Sequence, residues 1–335
     1  MKPRADAKYV IGVDLGGTNV RAGVVDRNEK IIGQDKQPSD AKAGTDVVVG
    51  RIADTILKAI TKANLHPEDI AAIGMAVPGQ HDVANGVVRW APNFGAMMDD
   101  KFQMWHNVPL RKRLEDRLSI SVVFDNDANV AALGEFRYGA GRQVQTMVMF
   151  TLGTGIGGGI IINGKVVQGT TGGGGEIGHM VIMPGGRRCG CGTYGCLEAM
   201  TARDAISDRA ARKLSEGRPS LLWDLVKGDK LALTPAIIDQ AARANDPIAV
   251  ETFQETGYYL GIGVANLINL INPEMVVVGG GIAAATGLLE ATERSARANS
   301  IRSIAEACSI VRAELEDEAG IMGAAELASQ YVAAG

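Results

Sequence analysis

The sequence predicts an α/β protein of two lobes with a central cleft, and three observations carry that prediction. The chain has 335 residues, 46% hydrophobic and 21% charged, enough to bury two cores without crosslinks and too apolar for a disordered chain. A pattern of apolar run, glycine-rich turn, apolar run, polar turn and third apolar run occurs twice, in YVIGVDLGGTNVRAGVVDRNEKIIGQ from Tyr9 and in MVMFTLGTGIGGGIIINGKVVQG from Met147. Each copy is followed by helical and strand-like segments of the kind that build a partly parallel sheet. Aligning Leu15 with Leu152 sets Gly16 on Gly153 and Gly17 on Thr154, so each half opens on a strand-turn-strand hairpin.

The elements follow in order. After the first meander, TDVVVGRIADTILKAITKAN from Thr45 repeats apolar residues at three and four, which predicts a helix with Thr45 and Asp46 as cap candidates. AAIGMAVPG (71–79) and GVVRWAPN (86–93) read as strands. PLRKRLEDRL (109–118) reads as a helix with proline in its first turn, and ISVVFDND (120–127) as a strand running into the helix ANVAALGEFRYG. Between them, FGAMMDDKFQMWHNV (94–108) is longer than a short link, and its Met, Phe and Trp residues suit a loop over a pocket or an interface. The second half is mostly helical from about 203 to 272. It then gives the strand MVVVGGG, a helix near 288–298, the strand SIVRAEL and a final helix from about 319.

Composition excludes several classes of function. The formal net charge is -4 without long runs of one sign, which leaves no footprint for nucleic acid or an anionic membrane and favours a small, uncharged or moderately anionic partner. The start MKPRADAKYVIGVD lacks an apolar signal-peptide core, so a cytoplasmic protein is expected. The longest apolar stretch, from Gly257, is interrupted by Asn266, Asn269, Asn272 and Pro273 and reads as a buried helix followed by a strand, not a membrane span.

Chemistry concentrates in a few short stretches. Asp14 ends an apolar strand before Gly16, Gly17, Thr18 and Asn19. Glycines let backbone N–H groups approach a phosphate, and a strand-end carboxylate can hold Mg²⁺, although a tight hairpin needs the same glycines. The turn recurs at Gly153, Thr154 and Gly155, and a third glycine turn, with Gly280 and Gly281, follows MVVV. Three such turns favour a nucleotide. Asp127 lies where a strand hands over to a helix; from the residues alone it either caps that helix or accepts a proton. His179, Cys189, Cys191 and Cys196 have the spacing H-x9-C-x-C-x4-C, with turn glycines between. Three thiolates and one imidazole make a closed tetrahedral set suited to structural Zn²⁺, with no position left for catalysis. Cys308, far away in AEACSIV, reads as a buried apolar residue.

DLGGTNVRAG, DNDANVAALGE, LGTGIGGGI, GGEIGH with CGCGTYGCLE, and VVVGGGI, in that order and nearly end to end, resemble the ROK family of sugar kinases and sugar-responsive repressors. The resemblance implies the actin-like, hexokinase-type (ribonuclease H-like) ATPase fold. It places one lobe over 1–128, completed by a C-terminal helix over 318–335, and a second lobe with the zinc loop over 129–317. It implies ATP-dependent phosphorylation of a hexose at its 6-hydroxyl, glucose first, with Asp127 as general base. Gly79, Asn93, Asn126, Glu176, His179 and Glu198 would hold the sugar, His179 turning one ring nitrogen to zinc and the other to a hydroxyl. The glycine turns would hold the phosphates, with Mg²⁺ accompanying ATP, in a homodimer or higher homo-oligomer. Another hexose such as fructose, or an N-acetylhexosamine (N-acetylglucosamine or N-acetylmannosamine), is the alternative acceptor, and a transcriptional regulator lacking its DNA-binding domain the alternative class.

Overall fold

The structure, a computed structural model, describes residues 1–4 and 7–334. Two compact units divide the chain: Met1–Arg142 with Val166–Gly174 and everything from Asp317 on, and Gln143–Lys165 with Gly175–Glu316. Gly335, the end of the expected C-terminal helix segment, lies outside the described residues.

In the first unit the predicted glycine hairpin is β1 (Tyr9–Leu15) against β2 (Asn19–Val25), with Leu15 opposite Val20, and β3 (Ile31–Pro38) continues the meander. α1 (Thr45–Lys62) leads to β4 (Ile70–Val77), parallel to β1. Gly44 is the N-cap of α1 and makes no side-chain cap, so the expected Thr45 and Asp46 sit inside the first turn. β5 (Gln80–Asp82), β6 (Val87–Met98) and β7 (Lys101–Val108) form a separate antiparallel sheet. α2 (Leu110–Leu118), β8 (Val122–Asn126) and α3 (Asp127–Tyr138) follow, with β8 parallel to β4.

The segment 94–108 is thus a hairpin and not a loop. Its two-residue turn is Asp99–Asp100, both with positive φ (48° and 58°), the mirror-image turn whose twist suits paired strands.

Strand periodicity sets the packing. Ile11, Val13 and Leu15 of β1 and Ile73, Met75 and Val77 of β4 join Ile52 and Ile56 of α1 and Leu110 and Leu114 of α2 in one core. The alternate positions, Gly12 and Gly74, lie under the C-terminal helix Ala319–Ala333. A Cβ on Gly74 would stand 1.8 Å from the Ala324 carbonyl oxygen, so helix and sheet touch backbone to backbone. Gly74→Val is therefore expected to destabilise the protein by at least about 3 kcal/mol. An unshifted denaturant midpoint would contradict this docking.

The second unit repeats the plan. β9 (Met147–Leu152) and β10 (Ile156–Ile162) form the second glycine hairpin, and β11 (Lys165–Val166) is a two-residue remnant of the third strand. After it come α4 (Leu197–Thr201), α5 (Arg203–Leu214), α6 (Leu222–Leu225), α7 (Pro235–Arg243), α8 (Pro247–Ile271), β12 (Met275–Gly279), α9 (Leu288–Asn299), α10 (Arg302–Ala307) and β13 (Ser309–Arg312); α11 is the C-terminal helix. The order β11-β10-β9-β12-β13 matches β3-β2-β1-β4-β8 position for position, and β12 is parallel to β9 as β4 is to β1. This duplicated mixed sheet bears out the α/β class.

The long apolar stretch is α8, capped at its start by Asp246, whose carboxylate accepts the Ala249 N–H, and ended by left-handed Asn272 before Pro273. Among the described residues no helix is long and apolar enough to cross a membrane. Cys308 is buried, and that burial raises its thiol to about 11, as suits an inert core cysteine.

Candidate active site

In the first unit, the parallel strands β1, β4 and β8 end on the same side of the sheet. Asp14 lies beside Ala76 and Asn126 beside Val77, so Asp14, Gly79, Asn126 and Asp127 gather at the carboxyl edge, where open α/β sheets bind ligands. Asn126 is the N-cap of α3. Its Oδ1 accepts from the N–H groups of Ala128 (2.9 Å) and Asn129 (3.4 Å), and its Nδ2 donates to the Gly79 carbonyl (3.1 Å). The helix start is thereby held by Asn126, and Asp127 stands exposed as the first helical residue, at the positive end of the helix dipole.

Asp14 is ion-paired: its Oδ2 accepts from Arg21 Nη2 at 2.6 Å and from Nε at 3.2 Å. The adjoining turn is closed by the Gly16 N–H on the Asn19 carbonyl (2.9 Å), leaving Gly17 and Thr18 exposed. Asn93 sits on a bulge. Pairing of β6 with β7 jumps from Ala91–Trp105 to Gly95–Met104, so Pro92, Asn93 and Phe94 have no opposing residues. Phe94 turns inward onto Trp105 (ring centroids 5.0 Å apart) while Asn93 stays exposed, the usual way a bulge re-aims a side chain.

Beneath these residues lies a polar cluster that the sequence reading did not single out. Asp125, 2% exposed, accepts from the Asn126 N–H (2.7 Å), Asn129 Nδ2 (3.3 Å) and Gln168 Nε2 (2.6 Å). His81, 1% exposed, has Nε2 at 2.7 Å from the Val77 carbonyl, so that nitrogen carries the proton, and its ring stands edge-on to Phe124. Burial holds the His81 pKa below its usual value. Asp125 is next to the motif residues and could have been noticed; His81 and Gln168 carry no local signal.

In the second unit, the turn Gly153–Thr154–Gly155 is closed by the Gly153 N–H on the Gly155 carbonyl (3.0 Å). Glu198 reaches this turn directly: its Oε2 accepts from the Ile156 N–H at 3.0 Å, and a Cβ on Gly155 would stand 2.3 Å from that oxygen. Gly279 pairs with Thr151, so Gly280 and Gly281 lie at the same end of the sheet as the hairpin turn. Beside them is a cavity of about 380 Å³ lined by Gly281 and Ile282 and by Pro235, Asp239, Gln240 and Arg243 of α7. Thr234 caps that helix before Pro235, a start signal that places the helix but not the cavity.

The ligand atoms of His179, Cys189, Cys191 and Cys196 lie within 4.8 Å of one another. His179 Nδ1 is 3.6 Å from Cys189 Sγ, and Cys191 Sγ is 3.7 Å from Cys196 Sγ. Tetrahedral bonds of about 2.3 Å to sulfur and about 2.0 Å to nitrogen would set these separations at about 3.5 and 3.8 Å, so the residues fit a metal ion. Burial pushes the Cys189 thiol up, to about 12, and the hydrogen bond with Thr193 draws Cys191 down, to about 6; a bound cation would hold all three cysteines as thiolates. The other ring nitrogen of His179, Nε2, lies 3.9 Å from the exposed Glu176 carboxylate. Glu198 joins cluster to turn, since its Oε1 accepts from Cys189 Sγ at 3.4 Å.

The chain is 36% identical to the glucokinase of Thermotoga maritima over 324 residues, covering 96% of this chain and 98% of that one. It is 34% identical to the glucokinase of Halalkalibacterium halodurans over 326 residues, 96% of each. A solved ROK family glucokinase from Streptomyces griseus, in complex with glucose and AMPPNP, superposes with a TM-score of 0.79 at 34% identity, covering 96% of this chain and 99% of that one. Residues 10–331, which hold both glycine hairpins and the cysteine cluster, match the ROK family, and the chain belongs to it.

Proposed function

We propose that this chain is a cytoplasmic, homo-oligomeric ATP-dependent hexose kinase that converts glucose to glucose 6-phosphate. The observation that carries the reading is its end-to-end similarity, at 36% identity, to a glucokinase; the geometry of each unit agrees with it. Asp127, exposed at a helix N-terminus that favours its ionised form, accepts the proton of the sugar's 6-hydroxyl as that oxygen attacks phosphorus. Asn126 has its amide engaged by the cap and Gly79, which keeps a second N–H for a sugar hydroxyl and holds Asp127 in place. Gly79 and Asn93 line the same sugar pocket. Glu176, His179 and Glu198 accept hydrogen bonds from its hydroxyls or donate to them, and acidic acceptors around a sugar discriminate stereochemistry by leaving polar groups unpaired in the wrong isomer.

The turns formed by Gly16, Gly17, Thr18 and Asn19, and by Gly153, Thr154, Gly155, Gly280 and Gly281, hold the phosphates. The cavity beside Gly281 takes the nucleoside end. Mg²⁺ supplied with ATP, near Asp14, would offset charge on the transferring phosphoryl group. His179, Cys189, Cys191 and Cys196 would hold a structural Zn²⁺. The two lobes of such a kinase would span 1–128 with the C-terminal helix 318–335, and 129–317.

ADP release, measured with ATP against glucose, mannose, fructose, N-acetylglucosamine and N-acetylmannosamine, is expected to give the highest kcat/KM with glucose. No ATP consumption with any sugar, or sequence-specific DNA binding by the same preparation, would overturn the proposal.

A further inference from the structure

We infer that Asp125 and Gln168 are positioning residues for hexose binding, a step that rests on the kinase reading above. The segment Val166–Gly174 leaves the second sheet and belongs to the compact unit that contains Asp127. It is docked there at two points. Gln168 Nε2 donates to Asp125 Oδ2 at 2.6 Å, the shortest contact that carboxylate makes. Gly172 approaches the His81 carbonyl so closely that a Cβ would stand 2.6 Å from the oxygen. The segment also folds back on itself, with the Gly174 N–H on the Gln168 carbonyl at 2.8 Å.

The two oxygens of Asp125 divide the work. Oδ1 accepts from the Asn126 N–H and from Asn129 Nδ2, both in the strand-to-helix junction that presents Asp127. Oδ2 accepts from Gln168, in the segment. A carboxylate that is 2% exposed must keep its acceptor sites filled, so Gln168 is held to one place by the cost of leaving Oδ2 dry. Glu176 follows Gly174 by two residues and His179 by five, so the anchored segment sets where the chain starts toward both. One pair, Asp125 buried and Gln168 half-buried, thus fixes the proton acceptor's junction on one side and the start of the chain toward the sugar-binding Glu176 on the other.

Gln168→Leu keeps the bulk and removes the donor. Its glucose KM is expected to rise about tenfold, the size of loss that a small misplacement of binding groups produces, while the KM for ATP stays within about twofold. Glucose affinity measured calorimetrically without ATP is expected to fall in step. The double variant D125N/Q168E reverses donor and acceptor while keeping Oδ1 for Asn126 and Asn129, and is expected to recover glucose KM to within about threefold of wild type. Should Q168L fail to fold, Gln168→Asn, one methylene too short to reach, carries the same expectation.

A folded Q168L with unchanged glucose KM, a rise in both KM values together, or no recovery in D125N/Q168E would overturn the inference. Wild-type protein that phosphorylates no hexose would instead overturn the kinase reading on which it rests.

Discussion

Asp127→Ala is expected to lower kcat for glucose about a thousandfold, within the range that a positioned general base contributes, while the protein stays folded and still binds glucose. The expectation of a folded variant comes from the division of labour at the start of α3. Asn126 supplies the capping oxygen to the Ala128 and Asn129 N–H groups and the bond to Gly79. Removing the Asp127 carboxylate therefore costs its dipole interaction, about 0.3–1 kcal/mol, and its own bond from the Ala128 N–H (3.0 Å), a donor that Asn126 also accepts. Asp127→Asn is the sharper comparison. It keeps the size and one acceptor oxygen but cannot take a proton, so its kcat should fall as far as that of the alanine variant. A loss shared equally by kcat and kcat/KM would mark an interaction made only in the transition state. A variant that folds, binds glucose calorimetrically and turns over near the wild-type rate would remove Asp127 from that role.

The duplicated hairpins were legible because a glycine turn between two apolar runs leaves few alternatives, and the shared register of Leu15 and Leu152 reappears as two sheets of identical strand order. The metal cluster was legible for a related reason: sparse residues at close spacing with turn glycines imply convergence, and four ligand atoms within 4.8 Å are the result. The start of β6 was read as a strand, but its continuation from 94 and the hairpin it makes with β7 were not, because the turn is Asp-Asp. Aspartate tolerates positive φ but announces it far less strongly than Asn-Gly or Asp-Gly, and the bulge at Pro92–Phe94 breaks the alternation that would have shown a strand.

Length misled in the same way at the third strand. KVVQG continues the apolar pattern of the first meander, yet only Lys165 and Val166 pair before the chain leaves for the other unit. The Asp125–Gln168 contact is invisible in sequence for the reason most tertiary polar pairs are. Neither residue has a periodicity of its own, and 43 positions separate them.

Removal of the metal is expected to raise the glucose KM by tenfold or more, roughly the loss that follows when ligand orientation is released, before it affects the KM for ATP. The stretch between His179 and Cys196 contains no strand or helix of its own. It is held by isolated bridges, Val181 with Cys196 and Arg188 with Tyr194, and by a few backbone bonds such as Cys189 N–H to the Thr193 carbonyl at 2.8 Å. So few contacts do not repay the entropy of fixing such a loop. A cation bridging the His179 ring to three thiolates would, and it would hold Nδ1 inward so that Nε2 faces Glu176.

Glu198 extends the consequence beyond the sugar. It follows the ligand Cys196 by two residues and its Oε2 accepts from the Ile156 N–H, so slackening the cluster also loosens the glycine turn at Gly153–Gly155, and a later, smaller loss of ATP affinity should follow. Elemental analysis is expected to find one zinc per chain in wild type and none in Cys196→Ser, with the order of the two KM changes preserved in that variant. A preparation shown to be metal-free that phosphorylates glucose at unchanged KM would separate the cluster from the site altogether.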